Sequence, residues 1–100
     1  MRHELKIEQR YLINVLQGKK TFEIRFNDRD FQVGDKIKFF PLESDVVNVY
    51  DVYPGPYPDF EITYIYTDGF VQHGYVCMAI VPVCVDDQAG LGVGALRGKS

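Results

Sequence analysis

Lys20-Thr21-Phe22-Glu23-Ile24-Arg25-Phe26 alternates polar and apolar residues at period two. A strand sends successive side chains to opposite faces, so Phe22, Ile24 and Phe26 share one face and Thr21, Glu23 and Arg25 the other. The stretch therefore reads as a strand with one charged side. Immediately upstream, Gly18 is placed to close a helix in the left-handed conformation. That helix spans Glu8 to Gln17, with Tyr11, Leu12, Val15 and Leu16 on one face and Glu8, Gln9, Arg10, Asn14 and Gln17 mostly opposite. Ile13 falls off the apolar face. Earlier still, His3-Glu4-Leu5-Lys6-Ile7 alternates as a short half-buried strand.

Downstream, Asn27-Asp28-Arg29-Asp30 is a polar turn, since Asn and Asp satisfy nearby backbone donors and tolerate unusual dihedrals. A tight turn at Gly34-Asp35 leads into a strand from Lys36 to Phe40. Val46 to Val52 fits a further strand, and Pro54, Pro56 and Pro58 then enforce an extended, aromatic-rich loop. Phe60 to Thr67 alternates, with Phe60, Ile62, Tyr64 and Tyr66 against Glu61, Thr63 and Ile65, and ends at the Asp68-Gly69 turn. Tyr75 to Val83 is apolar on both faces, as a central strand would be. The sum is a mixed α+β, mainly β fold of five to six short strands with one helix near the N-terminus. A closed or nearly closed barrel is expected, because closure protects the edges of so small a sheet. An open α+β sheet with the helix on one face is the alternative.

One hundred residues support one hydrophobic core and not two, and 46% hydrophobic with 25% charged residues suits a folded, wet-surfaced domain. The longest apolar run, Tyr75 to Val85, is about half the ~20 residues of a membrane-spanning helix. The start, Met1-Arg2-His3-Glu4, lacks an apolar export signal, so a cytoplasmic protein with no membrane partner is expected. Cys77 and Cys84 lie seven apart in one apolar stretch, on opposite faces of a strand, and read as buried free thiols. Neither they nor His73 have zinc-site spacing, so no metal and no cofactor are expected.

Charge is unevenly distributed. Residues 1–38 carry a net +3 and residues 39–100 a net −6, with no Lys or Arg between Phe39 and Leu96. A polyanion would be drawn to surface built by the first segment. Within it, Glu23 and Arg25 are two apart on a strand, close enough for a charge-assisted bond that orients the guanidinium. Lys20 stands at the helix-to-strand junction. The same residues also fit an ordinary surface ion pair worth about 0–1 kcal/mol, with Lys19 and Lys20 solvated.

The pattern Gly18-x-Lys20-x-x-Glu23-x-Arg25 resembles the G-x-K-x-x-E-x-R signature of the ASCH domain (activating signal cointegrator homology), grouped with the PUA-like barrels. His3 to Ile7, Asn27 to Asp35 and Gly74-Tyr75-Val76 extend the similarity, over about residues 3–81, to a short ASCH subfamily of prokaryotes and their phages. The resemblance implies a PUA-like barrel over residues 1–85; residues 86–100, rich in glycine and small residues and without periodicity, read as a flexible tail. The resemblance further implies a cleft beside the helix, lined by Lys20, Glu23 and Arg25, that binds RNA or a nucleotide. Asn27, Arg29 and Tyr75 are further candidate ligand-binding residues, and His3 a weaker one.

Some ASCH members resemble amidohydrolases that deacylate a modified cytidine with the motif Lys and a Thr three residues later. Here Glu23 occupies that position, and Thr21 on a strand would face away from Lys20. This weighs against an enzyme, although a Lys20/Glu23 acid–base pair acting on water is the hydrolase alternative. Tyr50, Tyr53 and Tyr57 either stack on unpaired bases or, as such tyrosines do more often, pack their loop onto the barrel. A small protein-interaction domain using that loop is the third reading. Asp28 and Asp30 are expected to form the turn and not to bind a cation.

Overall fold

In a computed structural model that describes residues 1–46 and 48–83, strand β1 (Arg2–Ile7) buries His3, Leu5 and Ile7 and exposes Arg2, Glu4 and Lys6. Helix α1 (Gln9–Leu16) follows and buries Leu12 and Val15. Ile13, off the apolar face by periodicity, packs with Leu16 against the core. Gln9, a polar residue by pattern, is buried: its amide donates to the Leu42 carbonyl at 2.8 Å and accepts from the Val49 amide at 2.6 Å. One side chain thus ties the helix to the middle of the chain.

Strands β2 (Phe22–Phe26), β3 (Lys36–Pro41), β4 (Phe60–Tyr66) and β5 (Tyr75–Pro82) complete a five-stranded curled sheet in the order β1-β3-β4-β5-β2. The β1–β3 pair is parallel and the other three are antiparallel. Tyr75 to Pro82 lies between two strands, as its two apolar faces require. The inner face collects Ile37, Phe39, Phe60, Ile62, Val76, Met78 and Ile80 with Leu12 and Val15 of the helix. Burying a side chain of this size contributes about 1.5–3 kcal/mol.

The fold is mixed α+β and mainly β, as expected, and its sheet is a curled half-barrel whose edges, β1 and β2, do not pair with each other. Two details differ from expectation. The 46–52 segment contains a short helix, α2 (Val49–Val52), where Asn48 Oδ1 accepts from the Tyr50 amide at 3.1 Å, so there are two helices. In β4, a register shift between Ile62 and Tyr64 breaks the alternation. The bulge lets Phe60 and Ile62 point inward while Tyr64 is 63% exposed, so the four do not share a face. Cys77 is a free, half-buried thiol. Cys84, the boundary at residue 85 and the 86–100 tail lie outside the described residues.

Candidate functional site

The charged side of β2 faces inward. Glu23 pairs across the sheet with Met78 and is 5% exposed, whereas Phe22, Ile24 and Phe26 face solvent. A carboxylate this deep needs opposite charge and hydrogen bonds, and it has both. Lys20 Nζ donates to Glu23 Oε1, and Arg25 Nε donates to Glu23 Oε2 at 2.7 Å.

Local backbone sets this geometry. Gly18, at φ 77°, turns the chain out of α1, and the amides of Lys19 and Lys20 both donate to the Asn14 carbonyl. Lys20 is thereby delivered beside the start of β2, where Nζ also donates to the Phe22 carbonyl at 2.7 Å. Its ammonium lies 4.9 Å from the Phe22 ring centroid and 5.7 Å from that of Tyr11. Arg25 reaches the other way, and its Nη2 donates to the Lys6 carbonyl at 2.7 Å. The three charged side chains therefore form a chain, cation–anion–cation, with a formal charge of +1. Donors remain: one N–H of Lys20, and on Arg25 the two of Nη1 and one of Nη2, have no acceptor among the described residues.

The motif serves two concavities, one on each side of Glu23. Beside α1 is an apolar cleft of about 370 Å³, walled by Leu16, Pro54, Pro56, Tyr57 and Ile80, with Lys20 and Thr21 at its side. Between the edges β1 and β2 is a more polar groove of about 470 Å³ that includes Lys6, Arg25, Asp28 and Arg29. Arg29 Nη1 donates to the Glu4 carbonyl at 3.0 Å there. Lys20 and Arg25 thus meet at the carboxylate but open onto different surfaces.

The remaining candidates divide between the groove and the frame. Asn27 Oδ1 accepts from the Phe31 amide at 3.0 Å and holds the turn that carries Arg29. Tyr75 stands on the outer face, edge-on to Phe26 at 5.5 Å, and lines neither concavity. Residue 75 alternates out of phase with inward Val76, which sets its side chain apart from Lys20 and Arg25. His3 is buried, with Nε2 2.8 Å from Asp35 Oδ2 and its ring edge-on to Phe31. The Asp35 carboxyl lies below its ordinary value, chiefly through that hydrogen bond, against the opposing effect of burial. No metal-ligating triplet occurs among the described residues.

Thr21 is also placed differently from expectation. Lys20 and Thr21 precede β2, so strand alternation does not separate them, and both line the apolar cleft. Tyr53 and Tyr57 pack against the core, with the Tyr57 hydroxyl donating to the Tyr53 carbonyl, while Tyr50 is exposed and stacks on Tyr57 at 6.1 Å. Burial raises the Tyr57 phenol above its ordinary value. The cleft walls from Leu16 and Ile80 were not singled out from sequence; the triple proline run was the signal that marked the rest.

No curated protein matches the chain. Residues 2–80 match a family described as a domain of unknown function (DUF3850), and the chain belongs to that family.

Proposed function

We propose that this DUF3850 member is an RNA- or nucleotide-binding module whose apolar cleft beside α1 takes a base while Lys20 attracts the adjoining phosphate. The observation that carries this reading is the double position of Lys20, at once a wall of the cleft and one end of the Lys20–Glu23–Arg25 chain. A cavity of about 370 Å³ lies within the ~300–1,000 Å³ of small-ligand sites. Proline and tyrosine walls suit a flat ring. Glu23 fixes the ammonium, so little rotamer entropy is lost when an anion docks. The positive net charge of residues 1–38 and the resemblance of the motif to the ASCH signature favour the same class of ligand.

Fluorescence anisotropy with short single-stranded RNAs, alongside mononucleotide titrations at two salt concentrations, tests the proposal. Binding is expected to weaken with salt and to fall at least tenfold in Lys20→Ala and Tyr57→Ala, with circular dichroism unchanged. No salt-sensitive binding at micromolar protein would reject it.

Thr21 supports a second reading, hydrolysis of an acylated nucleoside, because it lines the same cleft as Lys20 and carries a hydroxyl. Both Glu23 oxygens already accept from cations, which leaves the carboxylate poorly placed as a base and ranks this reading lower. Chromatography of acylated cytidines after prolonged exposure decides it; turnover abolished in Thr21→Val would favour it, and unchanged substrate removes it.

A further inference from the structure

The inward turn of the β2 charges leaves an apolar surface outside. Phe22, Ile24 and Phe26 stand beside Ala79, Cys77 and Tyr75 of β5, which in turn stand beside Tyr64 and Tyr66 of β4. Phe22, Ile24, Phe26, Tyr64 and Val81 are between 43% and 63% exposed. At about 200 Å² for a fully exposed large side chain, these five leave roughly 500 Å² of apolar surface in water. That lies in the upper part of the ~300–600 Å² range of the largest patch on a monomer, where such patches are often functional, and a twofold contact that buries it on both copies covers about 1,000 Å², the size a specific interface must reach.

The face has a sharp chemical border. Lys36 and Glu61, 3.6 Å apart, bound it on the β3 side, while the outward positions of β2 and β5 hold no charged residue. A polyanion would find cations only at the rim of this face, where Lys20 lies 4.9 Å from the Phe22 ring and Lys36 is paired with Glu61. A protein surface read through charge would find no pattern. Contact between two copies needs neither, because a twofold axis brings the same apolar patch onto itself.

We propose that the outer face of β2, β5 and β4 is the contact surface of a homodimer of this chain. The test uses the full chain in sedimentation velocity across a dilution series, with site-resolved alkylation of Cys77 as an independent probe of the face. A dimer is expected at tens of micromolar that dissociates on dilution, with Cys77 alkylation slowing at least tenfold as the dimer fills. Ile24→Glu and Tyr64→Glu, at separate points of the face, are each expected to weaken dimerisation at least 100-fold and to leave Cys77 alkylation independent of concentration. A monomer throughout the series overturns the proposal. So does a dimer that persists in both variants, or protection of Cys77 that is unaffected by concentration, which would mean that another segment of the chain covers the face.

Discussion

Arg25 and Lys6 are joined by a 2.7 Å hydrogen bond from guanidinium Nη2 to backbone carbonyl, across two edge strands that share no ladder. The Met1 and Ile7 carbonyls accept from the Lys36 and Leu42 amides on the β3 side. By strand alternation, the carbonyls of Glu4 and Lys6 face the open edge. Arg29 and Arg25 occupy these two, so side chains bridge the seam that the backbone leaves open. Arg25→Ala should lower stability by about 2–3 kcal/mol, as expected for lost hydrogen bonds to a charged group. Arg25→Lys should recover little of it, because an ammonium cannot span Glu23 and the Lys6 carbonyl as the planar fork does. Urea unfolding measures both, and hydrogen exchange at β1 should rise in each.

Glu23 holds two cations together in a space that is 95% shielded from solvent. Glu23→Gln keeps the shape but leaves Lys20 and Arg25 facing each other without their anion. A loss of about 3 kcal/mol is expected, comparable to breaking other buried pairs. If the unfolding midpoint barely moves, the carboxylate is not the structural hub of the motif.

Alternation revealed the strands because side-chain period survives in any context, and the Glu23–Arg25 pair followed from residues two apart on one strand, whereas the arrival of Lys20 beside them was implied only by the resemblance to the ASCH signature. Which side of β2 faced inward was not legible. Phe22, Ile24 and Phe26 carry the stronger hydrophobic signal, yet the carboxylate lies inside because two cations accompany it. The β4 bulge and the Arg25–Lys6 seam were equally hidden. One is a single-residue backbone irregularity, and the other ends on a carbonyl, which every residue possesses.

Asp35 gives the fold a defined acid response. Its carboxyl titrates below the ordinary 3.8, mainly because His3 hydrogen-bonds it, with the Gln32 amide adding a donor at 3.1 Å. A lowered folded-state value contributes stability that is complete above the ordinary value and is lost as pH falls through the folded-state value. Asp59, lowered by Arg2, adds a response of the same sign, so the contrast with a variant isolates Asp35. Asp35→Asn should cost about 1–2 kcal/mol at pH 7. Its stability should then decline less steeply than that of the parent below about pH 4, where protonation removes the advantage the variant lacks. Parallel pH profiles of the urea midpoint would contradict this account.

Gly74 and Gly18 separate two ways in which a glycine is required. Both have positive φ, 86° and 77°, where an added Cβ costs about 1–2 kcal/mol. At Gly18 a Cβ would meet nothing within 4 Å, so Gly18→Ala should show that cost alone. At Gly74 it would lie 2.9 Å from Cε1 of the Phe26 ring, which packs edge-on against Tyr75 and must shift. The Gly74 carbonyl also accepts from the Asn27 amide at 2.8 Å, so strain there passes to the turn that carries Arg29. Gly74→Ala should therefore be the more destabilising by about 1 kcal/mol or more, through the added overpacking. Paired thermal and urea unfolding of the two variants measures the difference, and equal losses would show that the Phe26 ring yields freely.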